Sequence, residues 1–292
     1  YRPDMVRAQC VETARFKPVM CSEGSIAPVL CFAITDGYEA AVDVHSQFLN
    51  YRPGTSSAHG PPIMIVPPWI NNFYILVLRP ENSLIKWLTE QGHSVCVLSW
   101  VNPGAEMAAV SFEDYMRRGP LEMGERLCSL LGVQRYHAVG YCLGGTLLAA
   151  TAAWHAAGDN GGPASCSYLT TLLDFSEPGD LGAFIAPELL TLLDDHMDKA
   201  GFLDGNEMSD VFSFLRSPDL FWNFYIEHFL MGRDPRPFDM MRWIADDTRM
   251  PAAMHSFYLR NMYRDNKLNE PGGLQLAGRR IYLGAVRRPN YF

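Results

Sequence analysis

A chain of 292 residues, 48% hydrophobic and 12% aromatic, can bury a sizeable core as one domain or one domain with an insertion, and is not disordered. A formal net charge of −8 with no Lys/Arg run argues against a nucleic-acid partner, so an anionic substrate would have to be met locally. Seven cysteines, an odd number without a CxxC pair, suggest neither a disulfide framework nor a metal site and fit a reducing cytoplasm. No stretch approaches the roughly 20 apolar residues of a membrane span.

In chain order, 29–34 and 47–51 read as strands, followed by a loop of breakers over 54–62. Ile63-Met64-Ile65-Val66 is wholly apolar, as a buried parallel strand would be, and Pro67-Pro68 stops it. After the loop 69–72, a helix is expected over 83–91 with Gly92 as its stop, then a strand over 95–100 and a turn at Asn102-Pro103-Gly104. One long amphipathic helix is predicted over 113–131, ending at Gly132. A strand over 135–139 precedes Gly140-Tyr141-Cys142-Leu143-Gly144-Gly145, and 146–154 is rich in good helix formers. A Gly/Pro loop over 158–163 leads to a further apolar strand over 168–173.

Strands alternating with helices at this spacing predict βαβ units: an α/β fold with a mostly parallel sheet covered on both faces. From about 181 to 266 the alternation stops in favour of aromatic- and Met-rich stretches. This reads as a helical lid above the carboxyl ends of the strands, with an ordinary helical core as the alternative. Asn290-Tyr291-Phe292 resumes the sheet.

The hexapeptide at 140–145 carries the chemistry. Its glycines allow a tight strand-to-helix crossing, which holds Cys142 as a nucleophile at the apex beside the positive end of a helix. A buried structural thiol is the bland alternative for Cys142 and the reading for the other six cysteines. One oxyanion donor is expected from the Leu143 backbone N–H, and a second from the loop after the 63–66 strand, at Ile70.

The blocks Pro67-Pro68-Trp69-Ile70-Asn71-Asn72-Phe73-Tyr74, Ser99-Trp100-Val101-Asn102-Pro103, Gly140 to Gly145, Leu172-Leu173-Asp174-Phe175-Ser176-Glu177-Pro178-Gly179 and the run from Met250 to Asn261 together resemble the class I polyhydroxyalkanoate synthases. The resemblance spans about 45–292. It implies an α/β-hydrolase fold in which Cys142 takes the place of the lipase-box serine, and acyl transfer from short-chain (R)-3-hydroxyacyl-CoA through a Cys142 thioester to a growing polyester chain. It implies no cofactor and no metal, a homodimer, and a place in the cytoplasm at the polyester granule surface. Residues 1–60 are then a remnant of an N-terminal region with the first strands, and 61–292 the catalytic domain with its lid at about 181–266.

The family's catalytic Asp and general-base His are expected beyond Phe292, so the chain reads as a partial piece, an impression shared by its start at Tyr1-Arg2-Pro3. Candidate substrate contacts are Trp69, Asn71, Tyr74, His255 and Arg260, with Arg79 and Arg260 as candidates for CoA phosphates. His93, His137 and His155 read as surface or core histidines, and Asp174 as a turn residue that could instead orient a base. Trp243 matches a family tryptophan, whereas Ile244-Ala245 departs from the usual polar pair beside it. The competing functions are a cysteine-dependent α/β-hydrolase or thioesterase, and an inactive partial chain.

Overall fold

Short apolar runs bounded by breakers become strands, and their alternation decides which layer each side chain joins. The computed structural model describes residues 30–33, 46–51, 53–55, 58–158, 161–215, 225–232, 243, 246 and 248–292. Among them a seven-stranded sheet has the order β1 (Leu30–Ala33), β2 (Ser46–Tyr51), β4 (Val95–Trp100), β3 (Ile63–Val66), β5 (His137–Tyr141), β6 (Ser165–Leu169) and β11 (Asn290–Tyr291). β1 and β2 are antiparallel additions at one edge; β4, β3, β5, β6 and β11 are mutually parallel.

β3 lies centrally and its two faces feed two separate cores. Met64 and Val66 join one cluster with Cys96, Leu98 and Ala138, while Ile63 and Ile65 join the other with Val95 and Val97. That split is the period-2 signature of a sheet covered on both sides. The smaller core is closed by helix α1 (Leu84–Glu90), capped by Ser83, whose Oγ accepts from the Lys86 N–H, and by a 3-10 turn over Phe73–Val77. The larger core is closed by α2 (Phe112–Met116), α3 (Glu122–Leu131) and α4 (Leu143–Gly158). This two-faced, mostly parallel sheet with a helix springing from the end of β5 is the expected α/β-hydrolase fold.

Three local expectations need correction. The single helix over 113–131 is two helices separated by a turn over Arg117–Leu121, because Pro120 has no N–H for the ladder and Gly119 leaves helical geometry. β5 lies two residues further along than the expected 135–139, at His137–Tyr141. β6 ends at Leu169 where a strand over 168–173 was expected: Thr170 has φ 47°, which breaks the extended chain.

Within the expected lid, α5 (Pro187–Ala200) and α6 (Gly205–Leu215) follow one another, and β7 (Phe202–Leu203) pairs antiparallel with β8 (Met250–Pro251). The run after β8, helix α7 (Ala252–Tyr258) with a π turn over Leu259–Arg264, packs into the larger core through Met254, Tyr258 and Met262. The stretch 221–224 that helped suggest the lid lies outside the described residues, as do Cys10, Cys21, Ile244 and Ala245. A hairpin of β9 (Leu274–Leu276) and β10 (Arg279–Ile281) turning at Ala277-Gly278, both with positive φ, had no sequence expectation.

Candidate active site

Everything at the site follows from one close crossing. A Cβ on Gly140 would lie 2.4 Å from the Gly145 Cα, and one on Gly144 would lie 2.1 Å from the Val66 carbonyl oxygen. Both positions therefore require glycine, because β5, the start of α4 and the end of β3 touch backbone to backbone. Cys142 sits at the apex with φ 52°, a left-handed conformation costing on the order of 1–3 kcal/mol for a residue with a side chain.

Neighbouring bonds hold that conformation. The Cys142 N–H donates to the Leu169 carbonyl at 2.9 Å, and the Cys142 carbonyl accepts from the Gly145 N–H at 2.9 Å. The Thr146 hydroxyl donates to the Leu172 carbonyl at 2.8 Å, tying the first turn of α4 to the loop after β6.

Burial pushes the Cys142 thiol above its ordinary range, and the Leu143 N–H partly offsets this by hydrogen bonding to the sulfur. Leu143, the first residue of α4, thus directs its backbone N–H at the Cys142 sulfur. Ile70 is buried in the loop that leaves β3, and the start of that loop, the Val66 and Pro67 carbonyls, lies against Gly144. The hydroxyls of Tyr258 and Tyr263 sense the same thiol, which raises their pKa values beyond the effect of burial. These two tyrosines had no distinguishing signal in the sequence.

The loop over 69–74 is fastened from a distant part of the chain. The Trp243 indole donates to the Asn72 carbonyl at 2.6 Å, the Asn72 amide donates to the Asp246 carbonyl at 2.9 Å, and the Tyr74 hydroxyl donates to the Asp246 carboxylate at 2.9 Å. The Thr248 hydroxyl donates to the Trp69 carbonyl at 2.7 Å. Of these partners only Trp243 stood out in the sequence.

The candidate substrate contacts separate into groups. Asn71 and Tyr74 are half-buried on the same loop as Ile70. The Trp69 side chain is 3% exposed and packs edge-on against Trp100, Phe112, Tyr115 and Tyr258. His255 is buried on α7, where desolvation lowers its pKa to about 4 and Asp194 works in the opposite direction. Arg260 forms a charged hydrogen bond with Asp194, joining the π turn to α5, and Arg79 is exposed.

Asp174 caps its own turn. Its Oδ1 accepts from the Ser176 N–H at 3.0 Å and from the Asn266 amide at 2.8 Å, which together lower its pKa. His137 opens β5 and donates to or accepts from Ser165 Oγ at 2.7 Å; His93 precedes β4, and His155 lies late in α4, about 20 Å along the helix from Cys142. These three occupy the ends of the elements opposite the thiol. Among the described residues no group of His, Cys, Asp and Glu is arranged to hold a metal ion.

Residues 31–88 match the family model described as the N-terminus of poly-beta-hydroxybutyrate polymerase (PhaC). The chain is 43% identical over 259 residues to the poly(3-hydroxyalkanoate) polymerase subunit PhaC of Rhizobium meliloti, covering 89% of this chain and 42% of that protein. To the corresponding subunit of Cupriavidus necator it is 36% identical over 264 residues, covering 89% of this chain and 45% of that one. The chain thus spans less than half the length of these curated relatives. Among solved structures, a thermostable carboxyl esterase from Bacillus coagulans in complex with glycerol aligns at TM-score 0.48 and 11% identity, covering 75% of this chain and 68% of that one. Along 89% of its length the chain is thus similar to poly(3-hydroxyalkanoate) polymerases at 36–43% identity.

Proposed function

We propose that this chain carries the nucleophile and oxyanion side of a polymerase that links short-chain (R)-3-hydroxyacyl units from their CoA thioesters into polyester. The observation that carries the reading is Cys142 held at positive φ on the strand-to-helix turn with the Leu143 N–H aimed at its sulfur. The Cys142 thiolate attacks the thioester carbonyl, the carbon–sulfur bond to CoA breaks, and CoA departs as a thiolate that takes up a proton. The hydroxyl of the growing chain, or of a second monomer, then attacks the acyl-enzyme carbonyl and gives its proton to a general base. An ester bond forms and the Cys142 thiolate is released. The negative oxygen that develops in each step is met by the N–H groups of Leu143 and Ile70.

Because burial keeps the thiol protonated near neutral pH, a proton acceptor must reach it, and His93, His137 and His155 stand at the wrong ends of their elements. The base in this reading is the histidine, paired with an aspartate, that the family resemblance places past Phe292. Asn71 and Tyr74, beside Ile70, are the contacts proposed for the substrate, with no cofactor. The same reading makes the protein a homodimer at the surface of cytoplasmic polyester granules. Among the described residues no helix is long and apolar enough to cross a membrane.

The test is CoA release from 3-hydroxybutyryl-CoA by the protein at its natural length, with analysis of the product. Cys142→Ala should abolish both release and polymer. Unchanged release by that variant would overturn the nucleophile assignment, and free 3-hydroxybutyrate in place of polymer would favour a thioesterase.

A further inference from the structure

We infer that Thr248 is a positioning residue for the oxyanion site, acting through the Trp69–Ile70 peptide; this rests on the acyl-transfer reading above. Thr248 is 6% exposed, and its hydroxyl donates to the Trp69 carbonyl oxygen at 2.7 Å. That carbonyl belongs to the same peptide unit as the Ile70 N–H. In a planar trans peptide the C=O and N–H vectors point in opposite directions, so fixing the oxygen fixes the direction of the N–H.

A donor at the carbonyl also polarises the amide, making its N–H a stronger hydrogen-bond donor through the chain Thr248 O–H, Trp69 C=O, Ile70 N–H. The effect is largest where water is excluded, and Trp69, Ile70 and Thr248 are all buried. Thr248 itself is held because the same segment grips the loop elsewhere: Trp243 on the Asn72 carbonyl, and Asp246 on the Asn72 amide and the Tyr74 hydroxyl. One short segment more than 170 residues downstream thus sets both the orientation of the Ile70 peptide and the path of the loop carrying it.

An oxyanion donor matters only when charge builds on the substrate oxygen, so its misorientation should appear in kcat and leave KM largely alone. In the protein at its natural length, Thr248→Val keeps the shape and removes the hydroxyl, while Thr248→Ser restores the donor. Removing an oxyanion donor outright costs about 100- to 1000-fold in kcat, so loss of its orienting partner should cost roughly 10- to 100-fold. Alkylation of Cys142 by iodoacetamide, followed by mass spectrometry of its peptide, creates no oxyanion and should proceed at the wild-type rate in both variants.

The expected result is a fall in kcat for Thr248→Val at nearly constant KM, an unchanged alkylation rate, and recovery of most of the rate in Thr248→Ser. An unchanged kcat, an alkylation rate that falls with kcat, or a serine variant as slow as the valine variant would each overturn the inference. Cys142→Ala assayed alongside keeps the two levels apart. If it still releases CoA, the acyl-transfer reading fails; if it is dead and Thr248→Val is unimpaired, only the role of Thr248 fails.

Discussion

The backbone crossing beneath Cys142 can be tested with a single carbon atom. In Gly144→Ala the new Cβ would sit 2.1 Å from the Val66 carbonyl oxygen and 2.6 Å from that of Pro67. Real contacts of this kind scarcely fall below 3 Å, so α4 and the end of β3 must separate by about 1 Å, and no flexible side chain can yield instead. Overpacking of this sort costs about 1–3 kcal/mol, which in a chain of this length lowers Tm by about 3–10 °C. The displacement falls between Leu143 and the loop bearing Ile70, so the rate of CoA release should drop about a hundredfold, as a misplacement of about 1 Å commonly causes. Gly182→Ala is the control, since a Cβ there meets only Pro178 Cγ at 3.5 Å, an ordinary contact. Thermal melts followed by circular dichroism, together with initial rates, give both readouts. If Gly144→Ala matched Gly182→Ala in Tm and in rate, the crossing would not be the constraint described.

Two further outcomes concern stability. His255 is neutral in the fold with a pKa near 4, against about 6.5 when unfolded, so between these values the unfolded chain binds the extra proton and stability falls as the pH is lowered. The shift is equivalent to roughly 3 kcal/mol by pH 4, and His255→Gln should remove that part of the pH dependence of the urea midpoint; an identical slope in the variant would contradict it. Ser111→Ala breaks the capping box at the start of α2, in which Ser111 Oγ accepts from the Asp114 N–H at 3.1 Å and Asp114 Oδ2 accepts from the Ser111 N–H at 3.0 Å. A loss of about 1 kcal/mol should appear in the same urea titration.

What could be read from the sequence was what is encoded locally. The apolar run Ile63–Val66 and the glycines around Cys142 each state their own requirement, because a fully buried strand and a backbone crossing leave few residue choices. The kink at Gly119-Pro120 was also present in the sequence, but the apolar period over 113–131 masked it. The end of β6 was obscured differently: Leu172 and Leu173 continue an apolar run, yet the left-handed Thr170 has already turned the chain. The grip of Thr248 on Trp69 leaves no local trace. A buried threonine hydroxyl finds its partner only when the fold brings together residues 179 positions apart.

Two opposing effects act on the Cys142 thiol, and their balance bears on how the site must work. Its place at the head of α4, with the Leu143 N–H directed at it, favours the thiolate, as a helix N-terminus does by up to about 1–2 kcal/mol. Desolvation favours the thiol and is the larger of the two, so the resting Cys142 side chain is protonated. The donors beside the sulfur therefore do not act mainly by generating a standing thiolate. In the acyl-transfer reading proposed above, the advantage of the Leu143 N–H is realised once charge leaves the sulfur for the substrate oxygen, which that N–H and the one proposed at Ile70 would meet. A thiol held in this way attacks only as a base takes its proton, so in the acyl-transfer reading deprotonation and attack on the thioester belong to one event, and the histidine proposed as base has to stand within reach of the sulfur.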